Sequence, residues 1–295
     1  MPPKGLDRRA LMGAAAGLAA LSPAVARADS HAALQAIEAR TGGRLGLSVL
    51  DVQSGRHISY RIDERFRMCS TFKMLAVADV LHRVDAGRET LDRFLPYTAA
   101  DLLDYAPTTR AHVGQGGMKL GDLCAAAVQL SDNTAANLIL ASIDGPKGLT
   151  RWLRGIGDPI TRLDRHEPAL NTGPASDIRD TTSPAAMTAT MRKVLLGDVL
   201  TPVSRRQLTD WMLGTATGLK RLRAGLPADW REGDKTGTWS DGGVGHANDL
   251  AILWPPGRGP ILVAAFVNDG TAPSDARDAA LADVGRLIAT DLARG

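Results

Sequence analysis

Cysteines, aromatic residues and long apolar runs are all scarce in this chain of 295 residues, and each shortage closes off a class of protein. Two cysteines, Cys69 and Cys124, cannot build a disulfide framework. They allow one bridge at most in an oxidising compartment, and two free, buried thiols are the preferred reading. Aromatic residues make up 4% of the chain, too few to supply stacking platforms for nucleic-acid bases. No apolar run reaches the roughly eighteen residues that a permanent membrane span needs. The six histidines include no H-x-H or H-E-x-x-H spacing, so no metal is expected, nor any other cofactor. Gly243-Val244-Gly245 lacks the third glycine and the following helix of a dinucleotide loop, and there is no Walker A lysine. Fixed-period repeats and low-complexity tracts are absent.

What is present begins with a leader. Lys4, Arg8 and Arg9 give a positive start, Leu11 to Leu21 is a short apolar stretch, and Ala26-Arg27-Ala28 reads as an A-x-A cleavage site. Residues 1–28 are therefore expected to be a signal peptide, leaving a periplasmic or secreted protein cut near Ala28. The paired Arg8-Arg9, between Asp7 and Ala10-Leu11-Met12, resembles a twin-arginine leader; an ordinary Sec leader is the alternative. The leader carries Lys4, Arg8, Arg9 and Arg27 against Asp7, which accounts for the whole net charge of +3. The remainder is near neutral, so the basic pI gives no reason to expect a nucleic-acid partner.

Hydrophobic residues make up 44% of the chain, enough for one large unit or two intertwined lobes. Leu34 and Ile37 are at helical spacing, Gly42-Gly43 stops that helix, and 44–51 and 57–62 alternate about a turn at Gly55: a helix, then a hairpin. From about Ser70 to Leu219 the pattern is mainly helical. Phe72, Leu75, Val77, Ala78 and Leu81 mark one helix, and 120–130 and 135–143 mark two more. Residues 157–183 have no period, and a long aperiodic stretch inside a compact domain is a candidate functional element. Strand signals return at 230–239, 249–254 and 261–267, followed by a helix over 274–292. The expected fold is α/β, of the α+β kind. An antiparallel sheet from both chain ends is flanked by terminal helices (29–66 and 214–295), and an all-helical lobe (67–213) packs beside it, with the site in the cleft between.

Three short motifs can carry chemistry. Ser70-Thr71-Phe72-Lys73 puts a serine at the start of an apolar helix and a lysine on the same face. A serine hydroxyl needs a neighbour to take its proton, and a lysine can do so if its site lowers its pKa. Ser131-Asp132-Asn133 lies between two helices, where such residues commonly cap; its hydroxyl can also relay a proton and its amide can bind a carbonyl. Lys235-Thr236-Gly237 lies in a strand and offers charge, hydroxyl and a close backbone approach to a carboxylate. Each alone is ordinary: a cap, a cap, and a surface strand.

Together, in this order and at these intervals, they resemble the class A β-lactamases and penicillin-binding proteins, over essentially all of 29–295. Arg165-His166-Glu167-Pro168-Ala169-Leu170-Asn171 resembles the class A omega-loop motif, within a loop spanning 165–180. The resemblance implies a monomeric β-lactam hydrolase, with Ser70, Lys73, Ser131 and Glu167 as catalytic residues. Glu167 and Asn171 would hold the water that hydrolyses an ester on Ser70. Asn133, Lys235, Thr236 and Gly237 would bind substrate, and Thr238 would complete an oxyanion hole with Ser70. Asn137 and an Arg165–Asp180 pair would steady the loop. Whether Lys73 or Glu167 is the acylation base stays open. Tyr105 resembles an aromatic at the cleft entrance, or is ordinary packing; Arg221 resembles an arginine of the carboxylate pocket, or is a surface residue. The Glu167–Pro168 bond is expected to be cis. The stretch from Trp239 to Asn248 looks longer than the family's usual, with bulky Trp239 beside the cleft. Trp239 also stands where the disulfide-dependent members would place the partner of Cys69.

The enzymatic alternative is a D-alanyl-D-alanine peptidase or penicillin-binding protein, and the non-enzymatic one a penicillin-binding sensor. The first shares the three motifs, and Glu167 with Asn171 argues against it. A sensor or catalytically silent binding protein would keep a long-lived ester, whereas this chain carries the full deacylation set. For the leader, changing Arg8 and Arg9 together to lysine should leave precursor in the cytoplasm, visible by fractionation and immunoblotting. Unchanged export would identify a Sec leader.

Overall fold

The computed structural model describes Met1 and the backbone of residues 23–293, with side chains over 30–292. Most of the expected leader lies outside the described residues. The first helix, α1 (Pro23–Ala39), begins well before Leu34, so the expected cleavage point near Ala28 falls inside it in the uncleaved chain. Its alanine-rich start explains the difference, since alanine is the strongest helix former.

The two ends of the chain build one antiparallel sheet. Strands β1 (Arg44–Asp51) and β2 (His57–Tyr60) form the expected hairpin, then β3 (Phe66–Arg67) leads to the middle of the chain. The middle supplies α2 (Phe72–Asp85), β4 (Phe94–Pro96), α3 (Pro107–His112), β5 (Gly117–Lys119), α4 (Leu120–Gln129), α5 (Asn133–Ser142) and α6 (Gly145–Gly155). After the aperiodic stretch come β6 (Thr181–Thr182), α7 (Pro184–Leu195), α8 (Pro202–Leu213) and the short α9 (Leu222–Gly225). Strands β7 (Arg231–Asp241), β8 (Val244–Trp254) and β9 (Ile261–Gly270) then return to the sheet, and α10 (Ser274–Ala293) closes the chain. The order is β2-β1-β9-β8-β7, so β1 pairs with β9 and β7 is an edge strand. Among the described residues no helix is long and apolar enough to cross a membrane.

Both faces of the sheet are buried, which is why β1 and β9 are buried along nearly their whole length. On one face Leu45, Leu47, Val263 and Ala265 pack against Leu34 of α1 and Leu281, Val284 and Ile288 of α10. On the other, Leu250, Leu262 and Phe266 share a core with Phe66, Phe72, Leu75, Met187 and Met191, so the helical part and the sheet are one hydrophobic body. The sequence signals ended β7 too early and began β8 too late. The stretch between is a long hairpin closed by Gly242-Gly243, both at positive φ (57° and 82°), as a two-residue turn requires. Ser240, Asp241, Gly245 and Asn248 hid those strand ends, because polar and glycine residues carry little strand signal.

Residues 157–183 contain only a short 3-10 turn (Ala169–Asn171) and β6, which pairs with β3 directly before the Ser70 segment. The aperiodic stretch is thereby pinned where the sheet meets the helices.

Behind the edge strand lies a cluster of buried carboxylates: Glu232, Asp234 and, from β8, Asp249. Arg223 donates to Glu232 Oε2 at 3.1 Å and to Asp234 Oδ1 at 2.5 Å, while Asp249 takes only the Leu222 N–H at 3.3 Å. Glu232 Oε1, Asp234 Oδ2 and Asp249 Oδ1 accept no hydrogen bond from the described protein. Burial pushes Glu232 up to about 7, with Asp234 adding repulsion, and pushes Asp234 up to about 6; Asp249 is raised well above the carboxylate range. A carboxyl raised on folding stabilises the fold less as pH climbs from its unfolded pKa through its folded one. The melting temperature of Glu232→Gln should therefore exceed the parent's most at pH 8 and converge with it near pH 4. Parallel melting profiles would show that Glu232 carries no such proton.

Candidate active site

Ser70 stands in a 3-10 turn (Cys69–Thr71) that runs directly into α2, placing Lys73 in the helix's first turn. Cys69 adopts φ +47°, a left-handed conformation costing a non-glycine residue about 1–3 kcal/mol. The turn is held in place from several sides. Met68 N–H donates to Asp180 O at 3.0 Å, Thr71 Oγ1 to Met68 O at 2.8 Å, and Asn248 Nδ2 to Arg67 O and Met68 O at 2.9 and 3.0 Å. Both cysteines are buried and unbridged, and burial pushes both thiols well above the usual range.

Lys73 is 1% exposed. Its Nζ lies 2.6 Å from Asn133 Oδ1, 2.8 Å from Ser131 O and 3.2 Å from Glu167 Oε1, with Ser131 Oγ further off at 3.4 Å. Burial lowers its pKa, and the Glu167 charge opposes that shift. Ser70 Oγ donates to the same Glu167 Oε1 at 3.2 Å. On the other side of Ser131, Lys235 Nζ donates to Ser131 Oγ at 3.1 Å and to Thr236 O at 2.8 Å. Lys235 lies well below the ordinary lysine range, first through burial and then through repulsion from Lys73. The Ser131 oxygen thus receives lysine donors, leaving its own hydrogen free to turn into the cleft.

The Ser131-Asp132-Asn133 triplet divides its labour. Ser131 takes φ +58°, turning its side chain toward the lysines between α4 and α5. Asp132 caps α5 through Ala135 N–H at 2.9 Å and the start of α3 through Thr108 and Thr109 N–H at 3.0 and 2.9 Å. Capping and chemistry are both present, in neighbouring residues.

The loop places Glu167 by its backbone. Asn137 Nδ2 donates to Glu167 O and Glu167 N–H to Asn137 Oδ1, both at 3.0 Å. Arg165 Nε donates to Asp180 Oδ2 at 2.6 Å, and the N–H groups of Asp164 and Arg165 to Asp180 Oδ1 at 2.7 and 3.0 Å. The Glu167–Pro168 bond is cis. Asn171 Nδ2 donates to Glu167 Oε2 at 2.6 Å, while its buried Oδ1 finds no partner among the described residues.

On the edge strand, Thr236 Oγ1 lies 2.6 Å from Thr217 Oγ1, a neighbour the sequence reading did not single out because it sits in a segment without period. Arg221 is not a surface residue. It is 4% exposed, donating to Gly237 O, Asn248 O, Thr238 Oγ1 and Asp278 Oδ1 at 3.0, 2.8, 2.6 and 2.8 Å. It reaches the edge strand's Thr238 side chain directly. Tyr105 does not pack into the core: it is 52% exposed, and its carbonyl accepts from Asn133 N–H at 3.0 Å. Among the described residues no group of His, Cys, Asp or Glu is placed to hold a metal ion.

A buried serine–lysine–glutamate cluster between a sheet edge and a helical body is the geometry on which the comparisons bear. The sequence model of the beta-lactamase enzyme family matches residues 29–292. Beta-lactamase L2 of Stenotrophomonas maltophilia is 45% identical over 279 residues, 94% of this chain and 91% of that protein. Beta-lactamase CTX-M-8 of Citrobacter amalonaticus is 41% identical over 88% of each chain. The solved ancestral GNCA class A β-lactamase superposes with a TM-score of 0.85 at 57% identity, covering 88% of this chain and 98% of that one. A β-lactamase from Xanthomonas campestris gives 0.87 at 49%, covering 90% and 98%. The chain belongs to the beta-lactamase enzyme family, in class A, and is a hydrolase.

Gly237 shows how tightly the sheet edge meets the nucleophile turn. A Cβ there would lie 2.6 Å from Met68 O and 3.2 Å from Cys69 Cβ, so strand or turn must move. Gly237→Ala should lower kcat/KM for a chromogenic cephalosporin about 10- to 100-fold, as sub-ångström to ångström misplacement does. An unchanged value would mean that the turn yields without consequence.

Proposed function

We propose that the protein opens β-lactam rings through an ester on Ser70 and then hydrolyses that ester with water activated by Glu167. The observation that carries this reading is the placement of Glu167. One oxygen faces Ser70 and Lys73; the other is fixed by Asn171, whose own buried oxygen is left to accept from a water.

In acylation the Ser70 oxygen bonds to the lactam carbonyl carbon as the ring C–N bond breaks. The Ser70 proton passes to Glu167, its hydrogen-bond acceptor, and is handed on through Lys73 and Ser131 to the departing nitrogen, which leaves Glu167 ionised again. The backbone N–H groups of Ser70 and Thr238 hold the oxyanion. Lys235, Thr236 and Gly237, with Arg221 behind Thr238, receive the substrate carboxylate; Asn133 takes a side-chain carbonyl, and Tyr105 borders the entrance. In deacylation water adds to the ester carbon, Glu167 takes its proton, and the Ser70 oxygen leaves reprotonated.

The same reading makes 29–66 with 214–295 one lobe and 67–213 the other. It makes the protein an exported monomer, periplasmic or secreted after cleavage near Ala28, acting on small β-lactams without a nucleic-acid partner. Near-neutral charge beyond the leader supports this.

Glu167→Ala separates the two steps. Acylation should persist at least in part while hydrolysis stops, so a Ser70 adduct equal in mass to the bound β-lactam accumulates; Ser70→Ala should show none. Wild-type turnover by Glu167→Ala would assign the water to another residue. A single stoichiometric burst from the parent protein would make it a penicillin-binding protein or sensor instead.

A further inference from the structure

We propose that Arg67 is a positioning residue for the hydrolytic half of the reaction, gripping the loop segment directly beyond Asn171 and holding it against the strand that leads to Ser70. The proposal rests on the reading of Glu167 and Asn171 as the water-activating pair.

Arg67 ends β3, three residues before the nucleophile, and is 4% exposed. Its Nη1 donates to Thr172 O at 2.8 Å, and its Nη2 to Gly173 O and Pro174 O at 3.1 Å each. Three successive carbonyls therefore converge on one guanidinium. Gly173, at φ +119°, gives the backbone the conformation that turns them inward. Arg67 forms no ion pair with a carboxylate among the described residues, so these carbonyl dipoles are the partners that offset its buried charge. A planar fork of fixed donors suits that task where a lysine would make fewer bonds.

The other end of the grip is rigid. Arg67 N–H donates to Asn268 Oδ1 at 2.7 Å, Arg67 O accepts from Asn248 Nδ2 at 2.9 Å, and Asn268 Nδ2 donates to Asn248 Oδ1 at 2.9 Å. Two buried asparagines of β8 and β9 thus fix the backbone from which the side chain reaches. The loop end it holds is itself exposed at Thr172, Gly173 and Pro174. Glu167 is secured through Asn137 and the Arg165–Asp180 pair, and Arg165 Nη2 shares Thr172 O with Arg67 at 3.0 Å, whereas Gly173 O and Pro174 O, just beyond Asn171, are held by the Arg67 side chain and not by Arg165. Loosening Arg67 should displace Asn171 while sparing Ser70 and Lys73, and so slow hydrolysis more than ester formation.

Arg67→Met keeps length and removes every donor; Arg67→Lys keeps charge and restores part of the bonding. Each is mixed with a chromogenic cephalosporin, and decay of the Ser70 ester is followed by quenched-flow mass spectrometry alongside steady-state kinetics. The expected result for Arg67→Met is ester decay slowed about 10- to 100-fold, the range for ångström-scale misplacement, with kcat/KM within about threefold of the parent. When deacylation limits turnover, kcat and KM fall together. Arg67→Lys should be intermediate, and it carries the same test should Arg67→Met fail to fold. Parent-like ester decay in the folded variants overturns the proposal. So does a fall in kcat at unchanged KM, which reports only fewer active molecules, or a slowing of acylation equal to that of decay. Glu167→Ala measured alongside keeps the readings apart. Wild-type turnover there defeats the deacylation reading itself, whereas a trapped ester beside unaffected Arg67 variants defeats this proposal alone.

Discussion

Two lysine amines lie buried on either side of one serine hydroxyl, and the surrounding structure is organised by that burial. Lys73 and Lys235 are at most 1% exposed, repel each other, and both have lowered pKa values. Withdrawing such charges from water costs several kcal/mol each unless partners replace the solvent. The partners are Glu167 and Asn133 for Lys73, the Ser131 oxygen between the two, and the Asp234 charge beside Lys235. They come from a helix junction, an aperiodic loop and a sheet edge. The site therefore forms only when all three meet.

That requirement explains the chain's path. Strands from its two ends pair, β1 with β9, which leaves β7 as the free edge facing the nucleophile turn. The face of the sheet on that side shares its hydrophobic core with α2 and α7, so the edge cannot slide relative to the helix bearing Lys73 without breaking packing around Phe66, Phe72 and Phe266. Interiors at crystal-like density transmit such constraints instead of absorbing them. The short β3–β6 pairing extends the same frame to the loop carrying Glu167.

Much of this was legible in the sequence, and the limits are physical. Helices at 72–85, 120–129 and 133–142 and the strand at 44–51 announced themselves by period, because each buries a continuous apolar face. The ends of β7 and β8 did not, since Ser240, Gly245 and Asn248 follow no alternation. Recognition of the motifs named Ser70, Lys73, Ser131, Glu167 and Lys235, and the fold brings these five together. What local sequence could not reveal is who holds the holders. The Asn248–Asn268 contact, Thr217 beside Thr236 and Arg67 beneath the loop join residues far apart in the chain, with no spacing rule to mark them. Arg221 illustrates the same blind spot: an arginine in a turn reads as surface until Asp278 and two strand carbonyls are folded around it.

Backbone conformation shows where these demands conflict with local preference. Six described non-glycine residues have positive φ, and three of them, Cys69, Ser131 and Asp180, touch the site. Aspartate tolerates the left-handed region better than most residues, and Asp180 has the further task of receiving two loop N–H groups and Arg165. Cysteine and serine have no such excuse, and each strained residue sits beside a group with defined neighbours: Cys69 before Ser70, Ser131 between two lysines. Strain of about 1–3 kcal/mol per residue persists only where surrounding bonds over-determine the geometry. Here those bonds are the Asn248 amide and the Asp180 carbonyl for the nucleophile turn, and the double helix cap of Asp132 for Ser131. A capping residue, a sheet amide and a loop carbonyl thus do for the reactive groups what local propensity opposes. That is why a triplet such as Ser131-Asp132-Asn133 reads equally well as a cap and as a site: the cap holds the site open.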